Sequence, residues 1–313
     1  MDEDWGYPRV DNRRMTKQEG KLRILFVGEI VGAAGIYCIK KLLPKIQQEY
    51  DIDLTIAAAE GATGGFGIGK GHAIYLKKMG VNVITTGDFA FYKRDMMTHL
   101  GRERYILRPA NYPYENPGRG WMITPIHGSH NQQNSQNPSQ NTARHPLPQV
   151  GIITLLGQSG FNRVHLRNPF EMVGQLVERI KRETPIIIVD FHATTTAEKV
   201  TMSSFLDGRV SAVIGSHVRT LSADARLLSR GTAAITHSGR TGSLHSVGGL
   251  EPEIEIRKFV NQVHEKSEDS WGVLELQGVI IDVQEDGQPC SIETLRRQIT
   301  RPQNSSDLKS NKL

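Results

Sequence analysis

The sequence predicts an α/β fold built on a largely parallel β-sheet. From Lys21 onward, short runs of β-branched residues alternate with longer helical patterns, as in strands joined by crossover helices. The chain has 313 residues, of which 38% are hydrophobic and 23% charged, enough for one large domain or two ordinary ones with a buried core. These numbers exclude a disordered protein and a disulfide-stabilised miniprotein.

The predicted elements follow one another in a regular order. A strand at Leu22–Gly28 leads into a helix whose apolar residues recur at helical spacing, and a second strand covers Leu54–Ala59. A glycine-rich loop, a helix near His72–Met79 and a third strand at Val81–Gly87 come next. Later strands are predicted at Gly151–Leu156, Ile186–Phe191, Val210–Gly215 and Ala233–Thr236, with a last pair of strands in WGVLELQGVIIDV, ending at Val283.

Two segments lack hydrophobic periodicity. Residues 1–20 and the Asn/Gln-rich residues 128–146 contain too few apolar side chains to offset the entropy of ordering, so we expect a disordered N-terminal tail and a disordered surface insertion. The folded domain is then predicted over residues 21–285, followed by a basic tail at 286–313. That tail is either simply solvated or adds nonspecific affinity for nucleic acid or an acidic partner.

The sequence predicts a cytoplasmic protein without membrane association. No window approaches eighteen uninterrupted apolar residues, and the first residues, MDEDWGYPRVDNRR, carry no apolar signal segment. Cys38 and Cys290 lie far apart without metal-binding spacing, which fits a reducing compartment. A bound metal is therefore expected to have oxygen and nitrogen ligands.

Acidic residues and histidines stand where the predicted strands end. In an open α/β sheet, ligands bind beyond the carboxyl ends of the strands, so these side chains are expected to converge on one edge. Carboxylate and imidazole groups together suit Mn, Fe or Zn acting on a phosphoryl group. The residues at these positions are Glu29, Glu60, Asp88, Asp190, His192 and His217.

Two glycine patterns resemble nucleotide-binding motifs only in part. The loop Gly64–Gly71 has Gly71 where a P-loop needs Ser or Thr, and Ile30 stands at the second glycine of a dinucleotide motif. Binding of nucleoside triphosphates or dinucleotides has little support. The loop remains a candidate for holding a phosphate through backbone N–H groups, or else a flexible hinge.

Several motifs in one order resemble those of a known family. These are GEIVG, AAEGATGGFG, ITTGDF, LRPANYPYENPGRG, VDFHATTTAEK, DGRVSAVIGSH and GTAAIT with GRTG. They are similar to the YmdB-type metallophosphoesterases, calcineurin-like phosphodiesterases associated with 2′,3′-cyclic nucleotides and RNA. The resemblance runs from about Leu22 to about Val283 and implies an αββα sandwich, the metallophosphoesterase fold, with a small accessory subdomain.

The resemblance also implies which residues bind metal. In the family, two metals are bridged by a glutamate, which corresponds to Glu60, and one metal is also held at the positions of Asp88, His192 and His217. This set keeps oxygen and imidazole ligands and implies one divalent ion, Fe, Mn or Zn, with a metal-free protein as the alternative.

The second metal position departs from the family pattern. The family uses an aspartate, an asparagine and a histidine where this chain has Glu29, Gly61 and Arg219. Glu29 remains a candidate ligand, but Gly61 has no side chain, and a guanidinium has only donors. We expect Arg219 to fill the place of the missing metal and to pair with Glu29 and Glu60.

The proton donor of the family is also replaced. The resemblance implies a histidine as general acid directly after Asp88, where this chain has Phe89. Phenylalanine cannot protonate a departing alkoxide, a loss typically on the order of 10²–10⁴ in rate. Substrate-binding residues are predicted in two loops, at Gly64, Gly65 and Asn111.

Two hypotheses of function follow. In the first, the chain is a metal-dependent phosphodiesterase of impaired activity on a cyclic nucleotide or RNA, with Arg219 stabilising developing negative charge and Asp88 taking part in the site. In the second, it is an inactive relative that acts as a binding, regulatory or scaffold module for a protein partner, with Arg219 and Phe89 closing the old site. The resemblance also implies a homo-oligomer.

Overall fold

A computed structural model describes residue 17 and residues 20–126, 147–161 and 166–300 of the chain. The two segments predicted to be disordered, 1–20 and 128–146, lie outside this part except for Lys17 and Gly20. Among the described residues, no helix is both long and apolar enough to cross a bilayer.

The first sheet has eight strands. Seven follow one another in the order β2-β12-β13-β1-β3-β4-β5, and β14 pairs with β13. Strands β1, β3, β4 and β5 run parallel, while β13 is antiparallel to β1, β12 and β14. The strands are β1 (Leu22–Val27), β2 (Glu29–Ile30), β3 (Leu54–Ala58), β4 (Val83–Thr85), β5 (Ile106–Leu107), β12 (Arg240–Ser243), β13 (Val273–Val283) and β14 (Pro289–Thr300).

The second sheet has six strands in the order β10-β11-β9-β8-β7-β6. Its central strands β7, β8, β9 and β11 are parallel, and the edge strands β6 and β10 are antiparallel to their neighbours. The strands are β6 (Trp121–Pro125), β7 (Gln149–Leu156), β8 (Ile187–Ala193), β9 (Ala212–His217), β10 (Arg226–Leu227) and β11 (Ala233–Ile235).

Three apolar clusters show that the sheets and helices form four layers. One cluster joins α1 (Gly32–Tyr50), α2 (Lys70–Lys78) and α3 (Arg94–Arg102) to the first sheet. A second contains residues of both sheets, and a third joins the second sheet to α4 (Pro169–Ile180) and α5 (Thr196–Leu206). The predicted αββα sandwich is therefore confirmed. The segment between β12 and β13 carries the last helix, α6 (Pro252–Asn261).

The C-terminal region departs from the prediction. WGVLELQGVIIDV contains one long strand, β13, and not a pair, because its partner is β14. Residues 289–300 of the predicted basic tail thus belong to the sheet. Ile292 and Leu295 of β14 are buried, and two arginines of the supposed tail are paired, Arg296 with Glu275 and Arg297 with Glu49. The short strands β2, β5, β6, β10 and β12 were also not predicted.

A buried ion pair ties β1 to β13. Arg23 is 1% exposed, and its Nε and Nη2 donate to the two carboxylate oxygens of Asp282 at 2.7 and 2.8 Å. Its Nη1 donates to the carbonyl of Tyr50 at the end of α1. One guanidinium thus joins the two strands and the first helix. Because the pair is bidentate, it also favours one register between the strands.

Asp282→Ala is expected to lower the free energy of unfolding by about 3–5 kcal/mol, because it leaves the Arg23 guanidinium buried and without its carboxylate. Urea unfolding followed by circular dichroism measures this. Glu293→Ala on the exposed face of β14 is the control and should change stability by less than about 0.5 kcal/mol. Equal effects of the two substitutions would show that the buried pair contributes nothing specific.

Candidate metal centre

The predicted site residues stand at the carboxyl ends of strands from both sheets. Glu60 and Asp88 follow β3 and β4 of the first sheet, His192 lies near the end of β8, and His217 is the last residue of β9 in the second sheet. Strands that run parallel in register end at a common edge. The facing sheets therefore bring these side chains into one cluster.

Asp88, His192 and His217 form the centre of this cluster. One ligand atom from each of the three lies within 4.8 Å of the others. His192 Nε2 is 3.2 Å from Asp88 Oδ1 and 3.0 Å from His217 Nδ1, and His217 Nδ1 is 3.8 Å from the same Asp88 oxygen. Two ring nitrogens and a carboxylate oxygen facing a common point are a typical ligand set for a transition metal.

Neighbouring groups fix the orientation of the two imidazoles. His192 Nδ1 is 3.2 Å from Ser216 Oγ, which donates to Asp190 Oδ1 at 2.6 Å, so Nε2 is left for the cluster. His217 has a φ of 82°, uncommon for a non-glycine residue. Phe161 stacks on His192 and meets His217 edge-on. Asp190, predicted to converge here, thus supports a ligand through Ser216, as in many metal sites.

Glu60 completes the cluster from the first sheet. It is 3% exposed, its Oε1 accepts from the backbone N–H of Phe89, and its Oε2 lies 3.9 Å from His192 Nε2. This Oε2 has no hydrogen-bond partner among the described residues. A Cβ at Gly87 would collide with both Glu60 and His192, so only glycine permits this approach.

The charges of the cluster shift its pKa values strongly. Burial lowers the pKa of His192, but Asp88 and Glu60 outweigh this effect and raise it to about 9. Burial and the neighbouring His192 lower the pKa of His217 to about 3. Burial raises the pKa of Glu60 well above its usual value. The raised pKa values of His192 and Glu60 both favour a bound proton in the cluster, at the position where a cation would be favoured.

These observations fit one divalent ion. The orphaned buried oxygen of Glu60, the two facing imidazole nitrogens and the Asp88 carboxylate provide four donor atoms of the types that Fe, Mn and Zn accept. The residues that would hold it are Glu60, Asp88, His192 and His217.

The second predicted metal position is filled by an arginine. The Nε of Arg219 donates to Glu29 Oε1 at 3.0 Å, and its Nη2 lies 2.9 Å from the same oxygen. Nη2 also donates to the carbonyl of Gly65 at 2.6 Å, and Nη1 donates to the carbonyl of Gly248 at 3.0 Å. Glu29 is buried, so the guanidinium compensates its charge. No ion pair joins Arg219 to Glu60 in the described structure, contrary to that part of the expectation.

The absence of a side chain at Gly61 leaves space for the guanidinium of Arg219. A Cβ at position 61 would lie 2.9 Å from Arg219 Nη2 and 3.0 Å from Glu29 Oε1. A larger side chain at this position would have to displace the guanidinium. The donor set around Glu29 therefore does not fit a second metal ion, since a permanent cation already occupies the space.

Phe89 lies in an aromatic group at the rim of the site. Its ring meets those of Phe66 and Tyr92 edge-on, with centroids 5.6 and 5.4 Å away, and Arg219 lies 6.0 Å from the centroid of Phe66. Phe66 and Phe161 were not recognised from the sequence, because an isolated phenylalanine in a loop gives no signal of its contacts.

The predicted substrate-binding residues have different surroundings. Gly64 is exposed, whereas the buried Gly65 donates its N–H to the carbonyl of Gly61. Asn111 is fully buried and directs its amide N–H groups to the carbonyls of Leu156 and Arg167. Gly65 and Asn111 thus hold chain segments in place. Of the three residues, only Gly64 keeps a backbone that faces solvent, so phosphate binding at these positions stays a prediction.

Comparison with known proteins identifies the family of this chain. The family model described as YmdB-like protein matches residues 25–295. The chain belongs to the YmdB-like family. A 2′,3′-cyclic-nucleotide 2′-phosphodiesterase of Bacillus subtilis strain 168 is 30% identical over 262 residues, covering 84% of this chain and 91% of that protein. A putative phosphatase/phosphodiesterase of Mycoplasma pneumoniae is 32% identical, covering 84% and 88%.

Solved structures show the same fold as this YmdB-like chain. The crystal structure of a novel phosphatase from Mycoplasma pneumoniae has a TM-score of 0.77 and 31% identity, covering 90% of this chain and 95% of that one. A hypothetical protein from Thermus thermophilus also has a TM-score of 0.77, with 27% identity and coverages of 88% and 99%. The resemblance inferred from the sequence motifs is therefore confirmed, and with it the metallophosphoesterase fold.

Metal binding is expected to release at least about one proton per ion at pH 7, because the pKa of His192 is raised to about 9 and a ligating imidazole must be neutral. Titration calorimetry with Mn²⁺ in two buffers of different ionisation enthalpy measures this number. Affinity should rise by about tenfold or more per pH unit below about pH 9 and then level off. Heats that do not depend on the buffer would show that His192 is not protonated in the free site.

Proposed function

We propose that this chain is a phosphodiesterase whose site holds one divalent ion in place of two. We expect it to hydrolyse its substrate slowly. The observation that carries the proposal is the guanidinium of Arg219, which is bonded to Glu29 and fills the space beside Gly61. The intact Asp88, His192 and His217 cluster supports retention of the other ion. We also propose a cytoplasmic location, in keeping with the free Cys38 and Cys290.

The cluster of Asp88, His192 and His217 is the part of the site at which the reaction would take place. When bound, a divalent ion supplies Lewis-acid polarisation of a phosphoryl oxygen and activation of water. Ser216 and Asp190 keep His192 Nε2 directed at the cluster, while Phe161 covers the two imidazoles and excludes water from one side. The Asp88 carboxylate keeps a negative charge, since the hydrogen bond and charge of His192 lower its pKa despite burial.

Arg219 provides a fixed positive charge where the family has a second metal. Its Nε and both Nη atoms already have protein acceptors, so it acts on a phosphate mainly through its charge and less through new hydrogen bonds. Part of that charge is compensated by Glu29. The stabilisation of a pentavalent transition state is therefore weaker than that given by a second divalent ion.

The site also lacks a proton donor for the leaving group. Phe89 occupies the position of the family's general acid, and its neighbours Phe66 and Tyr92 present rings at this point of the rim. The name of the Bacillus subtilis relative suggests a 2′,3′-cyclic nucleotide as substrate. Strain in a five-membered cyclic phosphodiester assists departure of the alkoxide, so this class tolerates the missing acid better than a linear RNA phosphodiester does.

The metal content of the purified protein tests the proposal. Elemental mass spectrometry should find about one ion per chain, lost in His192→Ala and retained in His264→Ala, which alters an exposed histidine. Gly61→Asn combined with Arg219→His should raise the content to about two ions. A wild-type protein without metal after purification in the absence of chelator would favour the binding-module hypothesis. An unchanged content in His192→Ala would show that the cluster is not the binding site.

Restoring the proton donor should act selectively. Phe89→His is expected to raise hydrolysis of 2′,3′-cyclic AMP by on the order of 10², the low end for a general acid because ring strain already assists departure of the alkoxide. Hydrolysis of bis(p-nitrophenyl) phosphate should change little, because nitrophenolate leaves without protonation. Steady-state rates on both substrates measure this, with Phe89→Leu as the apolar control. Equal gains on both substrates would indicate that the phenyl ring of Phe89 only blocks access of substrates to the site. No gain on either would contradict a role for position 89.

A further inference from the structure

A basic cavity opens on the surface beside the segment that follows β9. Its volume is about 380 Å³, and no acidic side chain lines it among the described residues. Three arginines from separate parts of the chain line it: Arg219 after β9, Arg240 of β12 and Arg296 of β14. The exposed Thr294 of β14 adds a hydroxyl group. Arg296 belongs to the predicted basic tail, so part of that tail forms a cavity wall of the folded domain.

Three carboxylates bond to residues that line the cavity, and each of them is paired with an arginine. The side chains of Glu29 and Glu275 are only 3% and 2% exposed, so neither presents its charge to the cavity. Asp224 accepts from the hydroxyl of Ser222 at 2.6 Å and from the N–H of Thr236 at 3.1 Å. The pairs are Arg219 with Glu29, Arg296 with Glu275 and Arg226 with Asp224. The charges of these acidic groups are therefore already compensated.

Arg240 is the arginine of this cavity that has no carboxylate partner among the described residues. Its Nη1 donates to the carbonyl of Arg219 at 3.1 Å, and its Nη2 donates to the carbonyls of Ser243 and Leu244 at 2.8 and 3.3 Å. These carbonyls accept hydrogen bonds but do not neutralise the guanidinium. Burial and the charge of Arg219 lower the pKa of Arg240, against a smaller opposing effect of Glu275. The cavity therefore has a positive charge that the protein leaves uncompensated.

We propose that this cavity binds a phosphate group other than the one that is hydrolysed. A phosphate beside Arg240 supplies the negative charge that this guanidinium lacks, and guanidinium groups match phosphate oxygens in geometry. Arg240 Nε and Arg296 Nη1 make no hydrogen bond among the described residues, so both remain as donors for such an anion. The cavity is larger than a phosphate alone and leaves space for part of the molecule that carries it.

The cavity and the candidate metal centre share Arg219. Its guanidinium lies beside Gly61, the residue after Glu60, whereas its backbone carbonyl accepts from Arg240. The bound phosphate is therefore assigned to the substrate itself, as in a 2′,3′-cyclic nucleotide that also carries a 5′-phosphate. This assignment rests on the proposed function. Free inorganic phosphate has the same chemistry and is the other source of the group.

Titration calorimetry with inorganic phosphate at low salt, on protein stripped of metal, tests the cavity independently of catalysis. Arg240→Met should weaken phosphate binding at least about tenfold, because a charge and its hydrogen bonds are lost. Arg182→Met, at an exposed arginine just after α4, makes the same change in net charge and should bind like the wild type. His192→Ala should also retain binding. A wild type that binds no phosphate, or binding lost in His192→Ala but kept in Arg240→Met, would overturn the proposal.

A second variant leaves the backbone contacts of Arg240 intact. Thr294 is exposed, so Thr294→Glu places a carboxylate at the cavity wall without disturbing the fold. It should weaken phosphate binding at least about tenfold through repulsion between like charges. Thr294→Gln has nearly the same size and should change the dissociation constant by less than about threefold. Equal effects of the two substitutions, measured by the same titration, would contradict a phosphate at this position.

Steady-state kinetics of the metal-loaded protein distinguish the two sources of the phosphate. If the substrate carries it, Thr294→Glu should raise the KM for 2′,3′-cyclic AMP with a 5′-phosphate at least about tenfold and leave the KM for 2′,3′-cyclic AMP unchanged. Unchanged KM values for both substrates, with phosphate binding intact in the wild type, would assign the cavity to free phosphate. If neither substrate is hydrolysed, the proposed function fails, and the calorimetric result alone decides whether the cavity binds phosphate.

Discussion

The common edge at which parallel strands from two sheets end is the constraint on which this molecule depends. β3 and β4 deliver carboxylates from one side, and β8 and β9 deliver imidazoles from the other. Because the sheets pack face to face through a shared apolar cluster, the distance between these groups is set by the core and not by flexible loops. The buried Arg23–Asp282 pair supports the same arrangement by fixing β13 beside β1.

Burial of the cluster has an electrostatic consequence. Glu29, Glu60 and His192 are nearly inaccessible to water, so each charge requires a partner of opposite sign within the protein or bound to it. Glu29 finds that partner in Arg219. An imidazole of raised pKa, His192, lies beside Asp88 and Glu60. Glu29 is thus compensated by a permanently charged guanidinium, whereas the positive charge beside Glu60 and Asp88 is that of a titratable imidazole.

Much of the candidate site could be predicted from the sequence. Glu60, Asp88, His192 and His217 each stand where a predicted strand ends, and the repetition of such residues at strand ends indicates a site. The substitution of Arg219 was also visible, but its fit beside Gly61 requires coordinates. Strand β14 was missed although Asp286-Gly287 is a strong hairpin signal, since the charges of Arg296 and Arg297 obscured the alternation. Ser216 and Phe161 could not be predicted, as their contacts depend on how two sheets approach each other.

The fit between Gly61 and Arg219 makes the two positions depend on each other. An asparagine at position 61 alone would collide with the guanidinium, and a histidine at 219 alone would leave Glu29 without its compensating charge and still lack a neighbouring ligand. The effects of substitutions at positions 61 and 219 are therefore expected to be non-additive, because each residue determines how much space and how much charge the other meets.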